Sequence, residues 1–115
     1  MKMSGMTAVP DLACMPGAIP AAERQAHFAL ARDLFHGRAE ERSALPNGYA
    51  IRFPADALEA VARFVSNERK CCPFMSFELT LAPASESLWL RMTGPEGTRS
   101  VLDAELNLGA SCGCR

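Results

Sequence analysis

Apolar and polar residues alternate with a period of two over Met75, Phe77, Leu79 and Leu81, separated by Ser76, Glu78 and Thr80, and the pattern returns at Leu88, Leu90 and Met92. That is the pattern of strands with one buried face. The connection from Pro83 to Ser87 makes them a hairpin. Tyr49, Ile51 and Phe53 alternate in the same way, and the stretch Ala39 to Leu45 precedes them across Pro46-Asn47-Gly48. An Asn-Gly pair between extended segments predicts a second hairpin. Met6 to Cys14 reads as a weak first strand interrupted by Pro10.

Three segments carry helical spacing instead. Pro20 opens the first, in which Phe28, Ala31, Leu34 and Phe35 share a face, and Gly37 closes it. Asp56 with Glu59 three residues on forms a capping-box-like start to the second, with Leu58, Val61, Ala62, Phe64 and Val65 facing inward or nearly so. It runs to about Lys70, and Pro73 forbids its continuation. After the turn Gly94-Pro95-Glu96-Gly97, a third helix spans about Thr98 to Asn107 and ends at Gly109. The order β-α-β-β-α-β-β-α predicts an α+β fold, a ferredoxin-like split β-α-β sandwich extended by one strand and a C-terminal helix. Residues 1–109 then form one domain, and 110–115 a flexible Cys-Gly-Cys tail. In that topology the first strand is central, and Cys14 and Cys71-Cys72 lie at the same end of the sheet. The last helix runs toward the opposite end.

At 115 residues, 49% hydrophobic and 22% charged, the chain can bury a core without staples. A net charge of −1 without a basic stripe excludes nucleic acid and anionic membrane as main partners. No segment reads as a signal peptide or as the roughly 20 apolar residues of a membrane span, so a cytoplasmic location is expected.

Five cysteines then change the picture: Cys14, Cys71, Cys72, Cys112 and Cys114. An odd number in a reducing compartment points to metal ligands, redox thiols or free thiols rather than a disulfide framework. Thiolates select soft ions, so the leading expectation is a thiophilic-metal-binding protein handling mercury or copper, as in metal resistance, with Hg(II) or Cu(I) bound and Zn(II) as a third candidate. Adjacent cysteines in extended backbone point apart, which suggests that one of Cys71 and Cys72 is a ligand and the other packs. Cys112-Gly113-Cys114 can converge on an ion, close a disulfide or pass an ion to a partner, and a homodimer or a metal-transfer partner would fit it. Two other readings compete. Cys14, Cys71 and Cys72 could form a redox couple or sensor, helped by the cationic Arg69 and Lys70, or they could be buried structural cysteines of an interaction module.

Other candidates weigh less. His27 and His36 read as surface histidines. Of the methionines, Met3, Met6, Met15, Met75 and Met92, only Met15 beside Cys14 is a candidate soft ligand, the two strand positions being core. No carboxylate pair, Ser-His-Asp set or nucleotide motif specifies an enzyme. Catalysis at a mercury or arsenic centre is a third class, with Glu96 and Glu68 as the carboxylates near the thiols.

Glu68 through Glu78, containing Cys71-Cys72-Pro73-Phe74, together with Leu88 through Gly97, resembles a family of small bacterial proteins bearing a Cys-Cys-Pro-Phe signature. A similar module lies behind the DNA-binding part of some MerR-type regulators, and no DNA-binding helix pair is expected in these 115 residues. The likeness runs from Leu12 to Leu106, including Leu12-Ala13-Cys14 and the stretch from Leu45 to Pro54. It implies a soft-metal or thiol-linked role by association. The topology is also similar to that of small heavy-metal-binding domains, whose Cys-x-x-Cys loop this sequence lacks.

Overall fold

The computed structural model describes residues 14–109. Its elements are helix α1 (Ala21–Asp33), strands β1 (Glu41–Leu45) and β2 (Gly48–Pro54), helix α2 (Leu58–Cys71), strands β3 (Ser76–Leu81) and β4 (Ser87–Thr93), and helix α3 (Thr98–Leu106). Short helical turns occupy Pro16–Ala18, Leu34–Arg38 and Ala55–Ala57. The chain is thus α+β, and its sheet is antiparallel in the order β1-β2-β4-β3.

This order departs from the split arrangement. Strands β2 and β4 pair along their whole length, from Gly48 opposite Thr93 to Pro54 opposite Ser87, so no strand can lie between them. The expected first strand, apart from Cys14, falls outside the described residues, and Cys14 itself is not in a strand. The β1–β2 hairpin is present, but its turn is Pro46-Asn47, because Gly48 already pairs with Leu45. Glycine is needed there for close approach: a Cβ on Gly48 would lie 1.8 Å from the Met92 carbonyl oxygen.

One face of the sheet carries Ile51, Phe53, Leu88, Leu90 and Met92, all fully buried. Phe35, from the wide turn after α1, meets Phe53 and Phe64 edge-on at ring separations of 5.7 and 5.0 Å. The opposite face is ionic and wet, with Arg91 on Glu78 and Arg52 near Glu40 and Glu41. Strand β3 keeps the alternation but lies at the sheet edge. Its inward row therefore leaves cover along the strand: Met75 just before it is buried, while Leu79 and Leu81 are 39% and 44% exposed.

The turn before α2 buries Ala57 and helix α2 buries Val61, Phe64, Glu68 and Cys71, a stripe stepping by four and three residues. That stripe is rotated from the expected one, since Leu58 and Ala62 are exposed. Nor does Asp56 cap the helix. Its carboxylate accepts a hydrogen bond from Arg38 Nη2 at 2.6 Å, and the turn Ala55–Ala57 leads into α2.

Candidate metal centre

Helix α2 ends on its two cysteines. Cys71 is the last helical residue, and Cys72 leaves helical geometry at φ −123° and ψ 75° while its N–H still donates to Glu68 O at 2.7 Å. Pro73 has no N–H and cannot extend the helix. The change of backbone direction between the two lets both sulfurs reach one centre, where extended backbone would have splayed them. Cys14 is brought in by a backbone strap. The Met15 N–H donates to Cys71 O at 2.7 Å, one of the carbonyls left open at the helix end. The strap is held in turn by Ile19, fully buried, and by Arg24, whose guanidinium donates to Pro16 O and Ile19 O. Cys14 Sγ then lies 2.7 Å from Cys72 Sγ. The expected convergence of Cys14 with the pair is found, produced by the strap rather than by a central first strand.

Two carboxylates close the site. Glu105, on the last turn of α3, accepts from Cys71 Sγ at 3.2 Å and lies 3.4 Å from Cys72 Sγ. Glu68 lies one turn before Cys72 on α2, fully buried, with Oε2 3.4 Å from Cys72 Sγ. Its other oxygen accepts from His27 Nε2 at 2.9 Å. His27 is 2% exposed and stacked on Phe64 at 5.4 Å and 9°, which corrects its reading as a surface histidine. Its Nδ1 has no partner among the described residues. Donor atoms of Cys14, Cys71, Cys72 and Glu105 all lie within 4.8 Å of one another.

The electrostatics of the cluster favour protons on the sulfurs. Burial, then the hydrogen bond and charge of Glu105, push the Cys71 thiol up to about 11. Burial also raises Cys14 and Cys72, with Glu105 adding to both and Glu68 adding at Cys72. Burial is again the largest influence on Glu68, pushed up to about 7 with Glu105 opposing its charge and His27 favouring it. Glu105 is the exception. Burial works against its charge, but hydrogen bonds from Glu68 and the three thiols outweigh that and hold it below the ordinary value. The pair therefore places its charge on Glu105 and its proton on Glu68. Arg69 and Lys70, expected to offer compensating charge, are exposed and make no hydrogen bond with the three thiols.

Comparison with family models, with curated proteins and with solved structures finds no match.

Of the five expected thiol ligands, Cys14, Cys71 and Cys72 come together as free cysteines; Cys112 and Cys114 lie outside the described residues, as do Met3 and Met6. Met15 turns its side chain out, 49% exposed. His36 donates from Nε2 to Leu106 O at 3.0 Å and so ties the turn after α1 to the end of α3. Helix α3 also differs from its expected course, because its final turn delivers Glu105 to the thiols rather than running to the opposite end. Glu96 is exposed, and the carboxylates that touch the thiols are Glu68 and Glu105. A signal for Glu68 was present in the sequence, four residues after Phe64 on the inward stripe. Glu105 sits three residues after Leu102, on the flank of the buried Thr98-Leu102-Leu106 stripe, a position that periodicity assigns equally well to solvent.

Proposed function

We propose that this protein binds one thiophilic metal ion through Cys14, Cys71 and Cys72, with Glu105 as a further donor, and that the ion is Hg(II) or Cu(I). The observation that carries this reading is the convergence of four donor atoms within 4.8 Å from three separate parts of the chain. Two donors on one ion can be no farther apart than twice the metal–ligand distance, about 4.6 Å for a bond of ~2.3 Å. Small side-chain rotations bring the set within that limit.

The protonation of the cluster separates this reading from thiol redox chemistry. A redox thiol attacks as the thiolate and is accessible and low in pKa. Here Cys71 and Cys72 are fully buried, and all three thiols are raised. A bound cation reverses that balance, since its charge stabilises thiolates beside the carboxylates. Buried structural cysteines would explain burial but not the two carboxylates turned onto them, because desolvating a carboxylate is unfavourable unless something offsets it. The likeness to Cys-Cys-Pro-Phe proteins agrees with the same role, and we propose Cys112 and Cys114 as auxiliary or transfer ligands.

The test is anaerobic titration of the reduced protein with Hg(II) and with Cu(I), followed by thiolate-to-metal absorption in the ultraviolet. One equivalent should saturate the wild type. Cys72→Ser and Cys71→Ser should each weaken binding at least about tenfold, and Cys112→Ser/Cys114→Ser should weaken it less. If neither ion binds saturably, or if the Cys71 and Cys72 substitutions leave affinity unchanged, the reading is wrong.

A further inference from the structure

Glu105 has a second neighbourhood. Besides the thiols it borders an open cavity of about 340 Å³ whose other walls are Phe28, Ala31, Arg32, His36, Leu106 and Asn107. That volume suits a small organic molecule. Phe28, Ala31 and Leu106 supply apolar surface. Arg32 is exposed and makes no hydrogen bond or ion pair among the described residues, so its guanidinium fork is open to a carboxylate. His36 is held to Leu106 O and fixes the wall between the turn after α1 and the end of α3. A molecule in this cavity is one side chain away from Cys71 and Cys72.

A thiophilic ion in any solution containing thiols is already bound to them, so what reaches the protein is a metal–thiol complex rather than a bare ion. We propose that the cavity receives the organic part of a small, carboxylate-bearing thiol that carries the ion, with Arg32 taking the carboxylate while the metal passes Glu105 to Cys14 and Cys72. This rests on the metal-binding reading above and names the form in which the ion arrives. For Hg(II) held by two carrier thiolates, the transfer is an exchange. Two mercury–sulfur bonds to the carriers break and two to Cys14 and Cys72 form, and the two cysteine protons leave on the departing carriers as thiols. Mercury stays divalent, and neither oxidant nor reductant is consumed.

The experiment is stopped-flow transfer of Hg(II) to the reduced full-length protein from its bis(glutathione), bis(cysteine) and bis(2-mercaptoethanol) complexes, read by protein thiolate–mercury absorption. The two carboxylate-bearing carriers should deliver about tenfold faster than the neutral one, the size expected for a hydrogen bond to a charged group. Arg32→Ala should remove that advantage without changing the rate from 2-mercaptoethanol, and Arg32→Lys should restore part of it. Final occupancy from mercuric chloride should match wild type, since Arg32 is not a ligand. A fast glutathione arm with a slow cysteine arm would assign the cavity to a longer peptide thiol within the same class. Equal rates from charged and neutral carriers, or no effect of Arg32→Ala, would overturn the carrier proposal while leaving metal binding in place. Failure to take up Hg(II) from every source would instead remove the metal-binding reading itself.

Discussion

The two halves of helix α2 bury one continuous stripe but put opposite chemistry on it. From Ala57 through Val61 to Phe64 the stripe is apolar and meets the aromatic core around Phe35. From Glu68 to Cys71, and on to Cys72, it carries a carboxylate and two thiols against His27, Cys14 and Glu105. The first half gains from burial. The second half buries ionisable groups, which costs desolvation, and satisfies them with one another. A site built this way is rigid because it is part of the core, and it draws on the apolar half for its stability.

The largest effect should come from weakening the supporting half. Phe64→Ala removes a fully buried ring that contacts both Phe35 and His27 and should cost about 3–5 kcal/mol in urea denaturation. A loss below about 1 kcal/mol would show that the apolar half does not support the fold in this way.

Replacing the polar half tests the comparison from the other side. His27→Leu alone leaves the Glu68 oxygen that faced it without its hydrogen bond and should destabilise the metal-free protein by about 1–3 kcal/mol. His27→Leu with Glu68→Leu should recover that loss and leave stability equal to wild type or higher by about 1 kcal/mol, measured by the same denaturation. A double variant as unstable as the single one would mean that the buried pair itself stabilises the fold.

The gentlest expected effect is that of pH. Cys71 is raised from its ordinary 9.0 to about 11 by burial and by Glu105, and Cys14 and Cys72 are raised as well. The folded state thus holds thiol protons that the unfolded chain releases. Their contribution is fully present below the unfolded value and is lost as pH rises through the folded one. The metal-free protein should therefore lose stability progressively above about pH 9, and thermal melts of Cys71→Ser/Cys72→Ser should show a flatter alkaline limb. An alkaline limb that is the same in both proteins would contradict the raised thiols.

How far each region could be read from the sequence follows the same division. The alternation at Leu88, Leu90 and Met92 predicted a buried row, and all three are fully buried. The equal alternation at Phe77, Leu79 and Leu81 predicted the same and met an uncovered edge, because alternation reports which side a residue faces and not whether anything lies there. Asn47-Gly48 located a hairpin, although Gly48 is required by its contact with the Met92 carbonyl rather than by the turn. In the site, the thiols of Cys71 and Cys72 were legible as chemistry, and their joint convergence was not, because it depends on the backbone leaving the helix between them.

The sequence by itself determined the hairpins, the presence of helix α2, its stop at Pro73 and the presence of soft donors, since each is encoded within a few residues by periodicity, ring constraint or side-chain chemistry. Tertiary structure decided that β2 pairs with β4, that a strap from Cys14 bonds to the end of α2, and that the last turn of α3 brings Glu105 to the thiols. Those outcomes join segments far apart in the chain. They depend on which elements can pack side by side once all of them are formed, and no local pattern records that.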